Sequence, residues 1–191
     1  HCARGRRPHL QNFIGRTRTN FAPTTANSSS LTTNTTGVAT IAGAVGATQP
    51  LNVVTVTQSG GTDFQSTVSA ATVTITDTAD AATVNFAGNL AVTSGTSAAA
   101  NGAYNVTLRG ASNVIDGDTN FLNTGLTTIG DEATDSSTFT GGLGAVSAGG
   151  VSIAGTVATT NTAMDLGATT QTANSTLKSG SGAITVASMT G

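Results

Sequence analysis

The sequence predicts an all-β protein: a parallel β-solenoid (β-helix) of about seven coils behind a non-repetitive basic N-terminal arm. Three observations lead there. Charged residues make up 8% of the 191-residue chain, with one Lys and one Glu, so the long unbranched side chains that favour helices are nearly absent. Thr, Val, Ala, Ser, Asn and Gly take their place; Thr and Val are stiff at χ1 and favour strands, while Gly and Asn supply turns. Finally, a short apolar motif recurs, its first three copies 23 and 22 residues apart and the later ones at irregular spacing. With 37% hydrophobic and 4% aromatic residues, that repeat implies a thin core stacked coil by coil rather than one thick core.

Charge divides the chain. Arg4, Arg6, Arg7, Arg16 and Arg18 are five of the seven basic residues, and no acidic residue precedes Asp63. Residues 1–23 therefore form a basic arm, and the remainder is acidic although the net charge is only −2. All three prolines, Pro8, Pro23 and Pro50, fall in the first 50 residues, which leaves later strands free to pair without interruption. Residues 24–36 read as a Thr/Ser/Asn-rich linker, and residues 37–191 as the repeat region. A chain that opens on His1 rather than Met reads as processed or as a piece of a longer one.

In the repeat region, apolar residues alternate with Thr, Asn or Ser over 38–41, 53–57, 72–76, 83–86, 104–108, 126–129 and 183–187, the period-2 pattern of strands with one buried face. The repeating motif is a large apolar residue, a small turn residue two places on, and an aliphatic residue after that. It runs Ile41-Ala-Gly43-Ala-Val45, Phe64-Gln-Ser66-Thr-Val68 and Phe86-Ala-Gly88-Asn-Leu90, at spacings of 23 and 22. Further copies start at Phe121, Phe139 and Ile153, at spacings of 35, 18 and 14. A period near 22 fits one coil of a three-faced solenoid. The motif would be a corner: apolar side chain inward, a Gly or Asn where the chain bends, an aliphatic residue inward on the next face. Phe64, Phe86, Phe121 and Phe139 would then stack up the core, and coils ~4.8 Å apart would give a rod of roughly 30–35 Å. The competing architecture, a β-sandwich of hairpins, would want a stronger aromatic core.

These motif copies, with Ser69-Ala-Ala-Thr-Val-Thr-Ile-Thr-Asp77 and Thr162-Ala-Met-Asp-Leu-Gly-Ala168, resemble the β-strand repeats of filamentous-haemagglutinin-like and autotransporter-like bacterial surface proteins. The resemblance spans roughly residues 37–191. It implies a right-handed parallel β-helix, export to the cell surface, and adhesion or fibre formation, with no catalytic motif to carry over. The basic arm has no counterpart in those repeats.

The residues themselves argue against an enzyme. Nucleophilic and acid–base catalysis need convergent Ser/His/Asp, Cys/His or paired carboxylates. The only histidines are His1 and His9, and beyond residue 18 the only basic side chains are Arg109 and Lys178. The one cysteine, Cys2, excludes an internal disulfide and leaves a thiol at the chain end or for pairing between chains. No stretch is long and apolar enough for a membrane helix. Asp116, Asp118 and Asn120 carry the one-apart oxygens of a calcium loop, but Phe121 stands where an EF-hand has Gly and no Glu follows at the twelfth position; solvated turn acids are the competing reading. Asp131, Glu132 and Asp135 form a second acidic cluster, and Asp77 with Asp80 a third. Sequons at Asn27, Asn34, Asn105 and Asn174 are candidate glycan sites.

The expected function is therefore structural or adhesive, at the cell surface or outside the cell, without a required cofactor and without nucleic acid as partner. Expected partners are further copies of the chain, a glycan or a cell surface. A filament subunit is the first alternative, with the basic arm capping its own solenoid or docking on an acidic neighbour. A polysaccharide-active or ice-binding solenoid is the second, the latter from Thr55-Val-Thr57 and Thr72-Val-Thr-Ile-Thr76.

Overall fold

The computed structural model describes residues 20–21, 25–100, 102–146 and 149–191. The five arginines of the predicted assembly arm, Arg4, Arg6, Arg7, Arg16 and Arg18, lie outside the described residues, as do Cys2, His1 and His9.

The protein is a parallel β-solenoid of about seven turns. Eighteen strands form one continuous sheet that winds through three faces, and no helix occurs among the described residues. The first face holds β3 (Ala39–Ile41), β6 (Thr62–Phe64), β8 (Thr83–Phe86), β10 (Asn105–Leu108) and β13 (Thr127–Ile129). The second holds β1 (Asn20–Phe21), β4 (Ala44–Val45), β11 (Ser112–Ile115) and β14 (Ser136–Phe139). The third holds β2 (Leu31–Asn34), β5 (Leu51–Gln58), β12 (Thr119–Phe121) and β15 (Leu143–Ala145). Longer strands turn corners. β7 (Val68–Ile75) and β9 (Leu90–Ala98) run from the second face to the third, and β16 (Val151–Thr159) from the first to the second. β17 (Met164–Lys178) crosses all three, and β18 (Ile184–Thr190) covers the third and the first.

Each residue pairs with one a coil away. On the first face the inward column runs Ile41, Phe64, Phe86, Leu108, Ile129, Ile153. Phe64 and Phe86 stack with ring centroids 5.0 Å apart and planes 6° from parallel. Phe64, Phe86, Phe121, Phe139 and Ile153 are buried; Ile41, in the first rung of the column, packs half-buried against the core. The four phenylalanines do not form one stack. Phe121 lies on the third face beside Ala98, and Phe139 on the second between Ile115 and Thr159. The reason is that the motif marks any corner. The copies at Ile41, Phe64, Phe86 and Ile153 turn from the first face to the second, Phe139 from the second to the third, and Phe121 from the third to the first. The uneven spacings of 35, 18 and 14 follow from that change of corner.

The solenoid also starts earlier than the linker reading of residues 24–36 allows. Leu31 and Thr33 are buried within β2, which pairs in parallel with β5. A Thr-rich run is strand-forming wherever alternate residues find a core.

Corners are tight enough to select glycine. Gly155 has φ +70°, and a Cβ there would collide with the Asp135 carbonyl one coil away. At Gly88 a Cβ would lie 2.5 Å from the Ser66 carbonyl carbon.

The core contains two polar exceptions that bear on stability. The buried hydroxyls of Thr96 and Thr119, paired in register on the third face, have no hydrogen-bond partner among the described residues. A desolvated, unpaired hydroxyl costs free energy that an isosteric methyl does not. Thr96→Val and Thr119→Val are each expected to raise stability by on the order of 1 kcal/mol in urea unfolding. Phe86→Ala, which empties a buried site and removes the Phe64 stack, is expected to lower it by about 3–5 kcal/mol on the same assay. A shift below about 1 kcal/mol for Phe86→Ala would contradict the stacked core.

Candidate functional site

The parallel register turns single residues into outward columns. On the first face the column is Thr40, Asp63, Asn85, Thr107, Thr128, Ser152, Thr170, Thr190. Its side chains bond along the axis. Asn85 Nδ2 donates to Asp63 Oδ1 at 2.7 Å, and Thr107 Oγ1 donates to Asn85 Oδ1 at 2.6 Å. Gln65 Nε2 donates to the other oxygen of Asp63 at 2.9 Å. The carboxylate is thus held inside a ladder.

On the third face the column is Thr32, Thr55, Thr74, Ser97, Asn120, Gly144, Asp165, Thr185. Thr55-Val-Thr57 and Thr74-Ile-Thr76 lie in adjacent rungs, Thr55 against Thr74. The next rungs replace the pattern with Ser97-Ala-Ala99 and Asn120-Phe-Leu122, so the Thr-x-Thr array spans two coils.

The calcium-type residues flank a corner. Asp116 follows β11 at a corner, where its Oδ1 accepts from Thr140 Oγ1 at 2.9 Å. Gly117 with φ +78° makes the bend. Asp118 and Asn120, both exposed, line a shallow groove on the far side of that corner with Asp165 and the glycines 141, 142 and 144. Asp116 is not part of that groove lining. Among the described residues no group of three or more His, Cys, Asp or Glu side chains is arranged to hold a metal ion.

The other acids work within turns. Asp135, buried, accepts from the backbone N–H groups of Asp131 and Glu132 at 2.9 and 3.0 Å, closing the corner before β14. Asp77 Oδ1 accepts from Thr78 N at 2.8 Å, and Asp80 Oδ1 from Ala103 N at 2.9 Å. The Asn105 amide is also engaged: Nδ2 donates to Ala81 O and Oδ1 accepts from Leu126 N. Among the sequons, Asn34 and Asn174 are exposed in strands, and Asn27 is exposed in a turn.

Sequence reasoning missed two buried polar groups that brace the corners. Asn113 sits in the inward column of the second face, next in register to Ser137. Its Oδ1 accepts from Leu90 N at 2.9 Å, and its Nδ2 donates to Gly110 O and Ser137 Oγ at 3.0 Å. Asn123 donates to the carbonyls of Tyr104 and Gly125 at 3.1 and 3.2 Å. The signal available was an Asn flanking a corner Gly on an otherwise apolar side.

Tyr104 is the only tyrosine of a chain that has no tryptophan, and it is buried with its hydroxyl donating to Ala99 O at 2.7 Å. Burial, and then the negative charge of Asp77, push its phenol up to about 12; the backbone bond acts the other way. Tyrosinate absorbance of the folded protein is expected to rise with a midpoint near that value, and of the unfolded chain near the ordinary value of about 10. Because the folded value is the higher, the Tyr104 contribution to stability is complete below pH ~10 and is lost as pH rises through ~12. A folded-state midpoint near 10 would contradict the buried placement.

The fold and surface together define the class: a parallel β-solenoid with columns of small, mostly neutral polar residues. Comparison of the chain with protein-family models, with curated proteins and with solved structures returns no match.

Proposed function

We propose that the chain is a structural and adhesive protein, a β-solenoid component of a bacterial-type extracellular surface fibre or adhesin. The observation that carries this reading is the continuous parallel ladder from coil to coil, with an outward column dominated by Thr, Ser and Asn. Backbone bonds along the axis give a stiff rod. A weakly charged, hydroxyl-rich surface suits contact with glycans or cell surfaces through many shallow hydrogen bonds rather than one deep pocket. Asp63, Asp116 and Asp135 are bonded into ladders and turns, and the groove that Asp118 and Asp165 share has no basic or histidine side chain in its lining, which favours this reading over a polysaccharide-cleaving one. Purified chain incubated with immobilised polysaccharides and fixed cells is expected to be retained without releasing soluble sugar. Release of new reducing ends or unsaturated products would replace the adhesive reading with the enzymatic one.

A second reading, a self-polymerising filament subunit, is supported by the unbroken parallel register from β2 to β18, a pairing that repeats from coil to coil. Negative-stain electron microscopy of the purified chain is expected to show filaments of uniform width on this reading, and short discrete rods otherwise.

A further inference from the structure

Gly144 stands where the ladder gives no reason for a glycine. The glycines within the described strands are Gly95, Gly144, Gly155 and Gly167. Gly95 and Gly155 have φ of +125° and +70°, and a Cβ on Gly167 would meet the Ala145 carbonyl oxygen at 3.3 Å. Gly144 has no positive φ and pairs in regular register with Asn120 on one side and Asp165 on the other. No backbone atom lies nearer than 3.8 Å to the position its Cβ would take. Its outward column carries Thr at positions 32, 55, 74 and 185, and Thr would favour the strand. Glycine weakens a strand; where there is neither a bulge nor a close backbone, it marks a place that something else approaches.

The missing side chain lies in the groove of the third face. Asn120 stands one rung before Gly144 and Asp165 one rung after it, and Asp118, Gly141 and Gly142 complete the polar lining. A Cβ on Gly144 would crowd Asn120 Oδ1 at 2.8 Å, so the glycine is what gives that amide its room. The side chains of Asp118, Asn120 and Asp165 have no hydrogen-bond partner among the described residues. By contrast Asp63, Asp77, Asp80, Asp116 and Asp135 are all bonded within the fold.

The chemistry of the groove selects its ligand. Ionised carboxylates accept and never donate, so the complement must be rich in donors and free of negative charge. Asp118 and Asp165 are two rungs and two strand positions apart, about 12 Å at the backbone for ~4.8 Å per rung and ~3.3 Å per residue. That separation leaves a ring-sized gap between the carboxylates. Calcium would need about six to eight oxygens around one point, and no group of three or more acids, His or Cys is arranged to hold a metal among the described residues. The groove's volume is about 240 Å³, below the ~300–1,000 Å³ of pockets that enclose a small molecule. It suits a ring or two of a chain laid across the surface.

Resting on the adhesive reading above, we infer that this groove is a glycan subsite. It takes a pyranose ring of a neutral polysaccharide over Gly144. Ring hydroxyls donate to Asp118 and Asp165, and the Asn120 amide bonds a hydroxyl between them.

The test is native affinity electrophoresis through gels containing mannan, dextran or alginate, each measured against a gel without polysaccharide. The chain is expected to be retarded by mannan or dextran and not by the anionic alginate. Gly144→Thr, which fills the groove, and Asp118→Asn/Asp165→Asn are each expected to weaken retardation at least tenfold. The urea midpoint of Gly144→Thr is expected to be unchanged or higher, because Thr is the residue the column uses elsewhere. A lower midpoint would show that the fold itself needs the glycine and would overturn the inference. So would retardation by neither neutral polysaccharide, full retardation of Gly144→Thr, or retardation abolished by EDTA, which would assign the carboxylates to a cation. A chain that is retained on fixed cells equally well with Thr at position 144 overturns the groove alone. Release of reducing ends from the polysaccharide overturns the adhesive reading and leaves groove binding standing.

Discussion

The structure depends on one constraint: the backbone N–H and C=O groups of each coil are met by the coils about 22 residues before and after it. Thr62 pairs with Val84, Val84 with Val106, and Val106 with Thr127, and the same holds around the other faces. Nearly all the pairing is therefore non-local in sequence yet nearest-neighbour in space. Its consequence is the column. A side chain's environment is set chiefly by the residues directly above and below it, so a residue type is tolerated only if it can stack on its neighbours at about 4.8 Å.

That rule explains a core with so few large residues. A column needs only one aliphatic or aromatic side chain per rung, and the width of the core is one coil. Val, Leu, Ile and Phe alternate freely within a column because each packs mainly on two neighbours. Several polar residues enter the core where a corner supplies partners. Asn113 is accepted because Leu90 N, Gly110 O and Ser137 Oγ surround it. Ser59, Thr62 and Thr78 form another such group, with oxygen separations of 3.0 Å. Thr96, directly after Gly95, and Thr119, two residues after Gly117, have the same burial without such partners.

The fold class was legible because strand period, turn residues and a 22-residue repeat all pointed the same way. Strand 83–86 was legible to the residue, since Thr-Val-Asn-Phe alternates cleanly between turn residues on both sides. What stayed hidden was which face each motif belongs to. Phe-x-Gly-x-Leu satisfies any of the three corners, so Phe139 and Phe86 look alike in sequence yet lie on different faces. β2 was hidden for a related reason: Leu31-Thr-Thr-Asn has the composition of a linker, and only the register with β5 buries its alternate side chains. Nor was the hydrogen bond from Thr140 to Asp116 readable, because it joins a corner made by Gly117 to a residue one coil away.

The same geometry accounts for the scarcity of charge. Like charges in adjacent rungs would face each other at about 4.8 Å, where unit charges repel by about 1 kcal/mol even in water. Repeated up a column, that repulsion would oppose every rung of the ladder. The outward columns of the first and third faces described above carry one charge each, Asp63 and Asp165, and the second-face column Ser69, Ala91, Val114, Thr138, Ala158, Lys178 carries only Lys178. The neighbours of Asp63 are Thr40 and Asn85, and the amides of Asn85 and Gln65 each donate to one of its oxygens. The remaining acids among the described residues are at corners, where chain direction changes and backbone N–H groups are free to bind them, as Asp135 does. Thr, Ser and Asn dominate the faces because a neutral side chain that both donates and accepts can stack on its own kind without limit. A composition that looks impoverished for a globular protein is the one a stacked coil selects.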